Sequence, residues 1–91
     1  MNDILVEHDP SPMKLEVLGV EDWPVCNEAV SVAERRYART ETTFILRGCA
    51  EITPRGGETV IITRGDLVTF LPEAHCTWNI TEAMERHYCE A

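Results

Sequence analysis

Short runs of β-forming residues recur roughly every ten positions over the C-terminal two thirds of this chain, and a turn signal closes each one. The run 42–46 ends at Gly48, and 49–53 enters Pro54-Arg55-Gly56-Gly57, a hairpin turn signal. Residues 59–63 end at Arg64-Gly65-Asp66, and 67–71 end at Pro72-Glu73-Ala74. Two further runs, 76–80 and 83–89, finish the chain, and a mixed-polarity strand over 30–39 precedes the series. Punctuation at that interval leaves no room for long helices. It predicts an all-β fold, a single antiparallel β-barrel whose edge strands and tight turns come from one domain of 91 residues.

The N-terminal third is less regular. Residues 1–11 read as an extended segment, either an edge strand or a frayed tail. Ser11 is a helix N-cap candidate, and Pro12 suits the first helical position, where its missing N–H costs nothing. Leu15 and Leu18 share a face and Gly19 supplies a stop, so one short helical turn is predicted over 12–18. The domain proper then spans 12–91. Trp23-Pro24 breaks the chain before the strands begin.

Charge narrows the partners. Sixteen acids against eight bases give a net charge of −8, which disfavours a phosphate-tracking surface for nucleic acid and an anionic membrane surface. No apolar run approaches the roughly 18 residues needed to span a bilayer. The first residues are acidic where a targeting peptide is basic, so the chain reads as cytoplasmic, or organellar after removal of a targeting segment. Cys26, Cys49, Cys76 and Cys89 form no C-x-x-C pair and are expected as free thiols. Arg35-Arg36 and Arg39 form a basic group, read either as a solvated strand face or as one arginine turned inward to hold an anion.

Glu41, Gly48, Gly65-Asp66 and Cys76-Thr77-Trp78 place an acid, two sharp turns and a thiol on consecutive strands. Inside a barrel Glu41 needs a partner, because a desolvated carboxylate loses several kcal/mol of hydration. Three roles are open to it: an ion pair with Arg35, a metal ligand, or a general base. Cys76 and Trp78 share a face by the two-residue period, as core packing or as a thiol beside a stacking wall, whereas His75 points the other way. Tyr37 offers a hydroxyl, and His87 is either a pocket residue or a hydrogen-bonded structural histidine. Gly48, Gly65 and Asp66 read as structural, with Asp66 bonding its own turn. The candidate pocket is therefore Arg35, Tyr37, Glu41, Cys76, Trp78 and His87, with Glu41 and Cys76 the candidates for catalysis.

Val20-Glu21-Asp22-Trp23-Pro24, Glu41 with Gly48, Gly65-Asp66-Leu67-Val68-Thr69-Phe70, Cys76-Thr77-Trp78 and Arg86-His87-Tyr88 together resemble a cupin, the small jelly-roll barrel. The set resembles in particular the short members of the (S)-ureidoglycine aminohydrolase-type cupin family, over about residues 10–89. That resemblance implies four metal ligands, whose positions fall on Arg35, Tyr37, Glu41 and Cys76. One is kept, one becomes a thiol and two are lost, and a guanidinium has no lone pair to give. A divalent transition metal is thus the family's implied cofactor, with Glu41 and Cys76 its remaining ligands and the conventional centre degenerate. The family usually has Pro at 71 and Gly at 73, so the turn Leu71-Pro72-Glu73 is expected to be rebuilt or shifted.

Two functions follow from this reading. The first is a small-molecule-binding barrel, whose enzymatic alternative is metal-assisted hydrolysis at a carbon–nitrogen bond of a ureide-like compound. The second is a non-catalytic sensor or interaction barrel, paired as a homodimer through an edge sheet.

Overall fold

The computed structural model describes residues 3–91. Strand β1 (Ile4–His8) leads to helix α1 (Pro12–Leu18), a 3-10 turn (Val20–Asp22) and two short strands, β2 (Val25–Glu28) and β3 (Ser31–Arg36). The long strand β4 (Glu41–Pro54) follows, then β5 (Val60–Thr63), β6 (Asp66–Phe70) and the longer β7 (His75–Glu90). Every pairing is antiparallel, and the order is β1-β6-β4-β7-β2, with β3 also on β7 and β5 also on β4. This is the expected all-β jelly-roll barrel with one short helix.

The helix forms where the capping signals place it. Ser11 accepts from the Lys14 amide at 3.2 Å, and Gly19 closes the last turn at φ 71°. Residues 4–8 are an edge strand rather than a tail, paired with β6 from Ile4 opposite Phe70 to His8 opposite Asp66. Met1 and Asn2, the start of the predicted extended segment, lie outside the described residues. Asp66 holds its turn as expected, accepting from the Thr63 amide at 2.9 Å, and His8 bonds its other oxygen at 2.7 Å.

Two sequence expectations are corrected here. Gly48 does not end a strand, and the runs 76–80 and 83–89 are not separate. β4 and β7 pair along most of their length through register shifts between Ile45 and Ala50, so each crosses the whole molecule. Gly48, at φ +95°, is the bulge residue, and a Cβ there would lie 2.4 Å from the Ala83 carbonyl oxygen. The bend lets one end of β4 pair with β6 and the other with β5. A long strand shared this way replaces two short ones, which is how a chain this small closes a barrel.

The interior holds Ile45, Ile52, Ile62, Val68, Phe70, Trp78, Ile80 and Met84, all fully buried. Tyr37 stacks on Phe70 with ring centroids 4.5 Å apart, and Phe70 tilts against Trp78 at 5.5 Å. This aromatic stack forms the floor on which the barrel mouth is built. In the turn before β7, Glu73 adopts φ +74°, and the backbone of Tyr37 pairs with Glu73 and Ala74.

Candidate functional site

Five charged or phenolic groups meet at one end of the barrel, each delivered by a different part of the sheet. β3 supplies Arg35 at its penultimate position, and Tyr37 follows the strand end. Glu41 opens β4, Glu28 closes β2, and β7 contributes Arg86 opposite Ile45. Arg86 is the hub. Its Nε donates to Glu28 at 2.8 Å, and its Nη1 donates to Glu41 at 3.2 Å and to Thr43 Oγ1 at 3.1 Å. Thr43 in turn donates to the His87 carbonyl at 2.6 Å. Arg35 donates through both terminal nitrogens to the two oxygens of Glu28, a fork-on-fork pair.

Of the three roles open to Glu41 an ion pair is the one formed, with Arg86 and not Arg35 as the partner, and Arg35 turns inward against Glu28. The Arg35 guanidinium also covers the face of Trp78 at 4.3 Å, and Arg86 approaches the same ring at 5.2 Å. Beneath them Trp78 Nε1 donates to the Tyr37 hydroxyl at 2.9 Å. A cavity of about 570 Å³ opens above this layer, with Arg35, Tyr37, Glu41 and Arg86 among its walls. Its size falls in the range of small-molecule sites.

Burial sets the charges. It pushes the Glu41 carboxyl above its ordinary value, Glu90 adds to that, and the single 3.2 Å bond from Arg86 does not offset them. Burial also opposes the charge on Glu28, yet the bonds from Arg35 and Arg86 outweigh it and hold that carboxyl below its ordinary value. Arg86 is kept charged by Glu28 and Glu41 against the same penalty. The Tyr37 phenol is raised, first by burial and then by the Glu41 charge, so it remains protonated.

Three predicted site residues sit elsewhere or serve otherwise. Cys76 is fully buried in the core and does not line the cavity, and burial followed by the Asp3 charge raises its thiol, the opposite of an activated nucleophile. Trp78 is buried under the two guanidinium groups and acts as floor, not wall. His87 alternates with Arg86 to the outer face, where its Nδ1 bonds the Trp23 carbonyl at 2.9 Å beside the helix. Glu28 and Arg86 were the residues the sequence reading missed. Counting by twos from Trp78 along β7 reaches Arg86 and excludes His87, so that signal was present.

The donor set does not suit the metal that the fold implies. Guanidinium groups from Arg35 and Arg86 stand at the mouth, Glu41 is already bonded to one of them, and Cys76 is withdrawn into the core. Among the described residues no group of three or more His, Cys, Asp or Glu is placed to hold an ion. No helix among them is long and apolar enough to cross a membrane, and all four cysteines are free.

A small antiparallel jelly roll with its polar cluster at one mouth defines a cupin. Residues 15–88 match the family described as the EutQ-like cupin domain, and the chain belongs to that family. It is similar over 97% of its length to a DUF861 family protein from Thermotoga maritima, at 38% identity and a TM-score of 0.93, covering 99% of that chain. It is also similar to a putative ethanolamine utilization protein Q from Salmonella typhimurium, at 15% identity, 72% coverage and a TM-score of 0.65. The Clostridium difficile EutQ protein gives 12%, 72% and 0.66. The chain spans about half the length of those two proteins, 53% and 52%, and their likeness speaks to fold alone. Comparison with curated proteins gave no match.

Proposed function

We propose that this protein is a small-molecule-binding cupin whose mouth site works without a metal ion. One observation carries the reading: Glu41, the one projected metal ligand kept in type and placed at the mouth, is bonded to the Arg86 guanidinium within a shared ionic cluster. A protein cation thus occupies the electrostatic role that a divalent ion would have, and the cavity above remains open to a ligand. Four free thiols support a reducing compartment such as the cytoplasm. The narrower likeness to ureidoglycine aminohydrolase-type cupins, with hydrolysis of a ureide-like substrate, ranks second because its chemistry would need that metal. A thermal-shift screen of metabolites on untagged protein, with and without a chelator, tests the reading. A ligand at about 100 times its Kd stabilises by about 2.7 kcal/mol, a readily measured rise in Tm. Hits that survive the chelator and weaken in Arg35→Gln support the site, and hits that need added metal contradict it.

A second reading has its own observation. Among the described residues β2 and β3 pair as strands only with β7, and Val25, Val30 and Val32 on or beside them are exposed. A second copy paired along that edge would cover them, making the barrel a homodimeric module. Light scattering on the purified chain distinguishes a monomer from that dimer.

A further inference from the structure

We propose that the mouth cavity receives a small organic monocarboxylate, gripped by arginine guanidinium groups and the Tyr37 hydroxyl. The inference rests on the metal-independent mouth site and adds the chemistry of its occupant. The chain has eight basic residues against sixteen acids, yet Arg35, Arg36, Arg39 and Arg86 all line this one cavity. Half of the positive side chains of a strongly acidic protein are thus gathered at a single opening. Such a local inversion of charge concentrates anions from solution at one place.

The donors are available as well as present. Arg36 and Arg39 have no side-chain partner among the described residues and are exposed. Tyr37 accepts from Trp78 Nε1, which leaves its own O–H without an acceptor among the described residues. Burial keeps that phenol neutral and therefore a donor. A guanidinium fork matches the two oxygens of a carboxylate, as Arg35 already demonstrates on Glu28.

The valency follows from the neighbouring acids. Glu41 and Glu90 line the same cavity, and Glu28 binds Arg35 and Arg86 from behind. Four guanidinium groups against three carboxylates leave one positive charge. A monoanion neutralises it, whereas a dianion would exceed it and face Glu41 and Glu90. At about 570 Å³ the cavity is larger than a carboxylate group needs, so an organic body shares the space.

The indole Nε1–H of Trp78, directly under Arg35, reports occupancy by two-dimensional 1H–15N NMR; the chain has only two tryptophans, and Trp23→Phe assigns them. The intact protein is titrated at constant ionic strength with benzoate, benzamide, benzylammonium, succinate and inorganic phosphate. Benzoate is expected to move the Trp78 signal saturably, with benzamide and benzylammonium inert. Binding is expected to weaken by about fivefold or more in the exposed double variant Arg36→Gln/Arg39→Gln. A response to benzamide equal to that of benzoate would overturn the anion assignment and leave the mouth site standing. Succinate or phosphate binding more tightly than benzoate would overturn the valency. Silence of the Trp78 signal to all five probes would overturn the mouth site itself.

Discussion

Glu28 at the end of β2 accepts from the Nε of Arg86 in β7 at 2.8 Å, joining residues 58 positions apart into the ionic cluster at the barrel mouth. The same carboxylate takes both terminal nitrogens of Arg35, so one acid serves two inward arginines. The side chains of Arg86 and Glu28 are 8% and 15% exposed, which makes this a shielded pair and not a surface one. Removing the acid would leave the Arg35 guanidinium unpaired over the Trp78 ring and Arg86 with Glu41 and Thr43 alone.

Glu28→Gln should therefore cost about 3 kcal/mol at pH 7, the usual penalty for breaking a buried pair from one side. Because the folded state lowers the Glu28 carboxyl from its ordinary 4.5, its contribution is complete above that value and disappears as pH falls through the lowered one. Urea denaturation at several pH values should show the wild-type advantage shrinking below about pH 4.5.

Glu41→Gln should behave with the opposite sign. The Glu41 carboxyl is raised in the fold, so its ionised form detracts from stability above the raised value, and that penalty fades as pH falls towards 4.5. Arg86 keeps Glu28 and Thr43 as partners in the variant. Equilibrium unfolding should find Glu41→Gln as stable as wild type or up to about 1 kcal/mol more so at pH 8, with the difference disappearing as pH falls below about 4.5.

Gly48→Ala should destabilise by about 3 kcal/mol or more, since φ +95° and a 2.4 Å approach to the Ala83 carbonyl leave no site for a Cβ. The Tm measured calorimetrically would fall by over 10 °C, roughly, in a domain of this size. An unchanged Tm would mean that β4 does not bend at this residue.

The strand pattern was legible because β-forming runs and their Gly and Pro turns are local signals. Gly48 was misread because a glycine between two β-forming runs looks alike whether the chain turns or bulges. Only Ala83 on the opposite strand decides it. Thr81 and Glu82, exposed in mid-β7, gave the same false break. At the site, Arg35, Tyr37 and Glu41 were legible through their spacing. Glu28 was not, because the β2–β7 pairing that brings it to Arg86 leaves no mark on residues 25–28 themselves. His87 was preferred to Arg86 although the two-residue period along β7 already separated them.

Glu73→Gly offers a test in the stabilising direction. Glu73 holds φ +74°, a left-handed conformation that costs a residue with a Cβ about 1–2 kcal/mol, partly offset by the greater entropy that glycine loses. Thermal unfolding should show a gain of up to about 1 kcal/mol, with the mouth unchanged because Tyr37 contacts this turn through backbone atoms.

The central claim, that guanidinium groups supply the positive charge at this mouth in place of a metal ion, is tested most directly by elemental analysis of the untagged protein. Zinc, manganese, iron and nickel should each be well below one atom per chain, and a chelator should leave the Tm unchanged. One retained atom of any of these per chain, with a Tm that falls on chelation and is lost equally in Glu41→Ala, would contradict it.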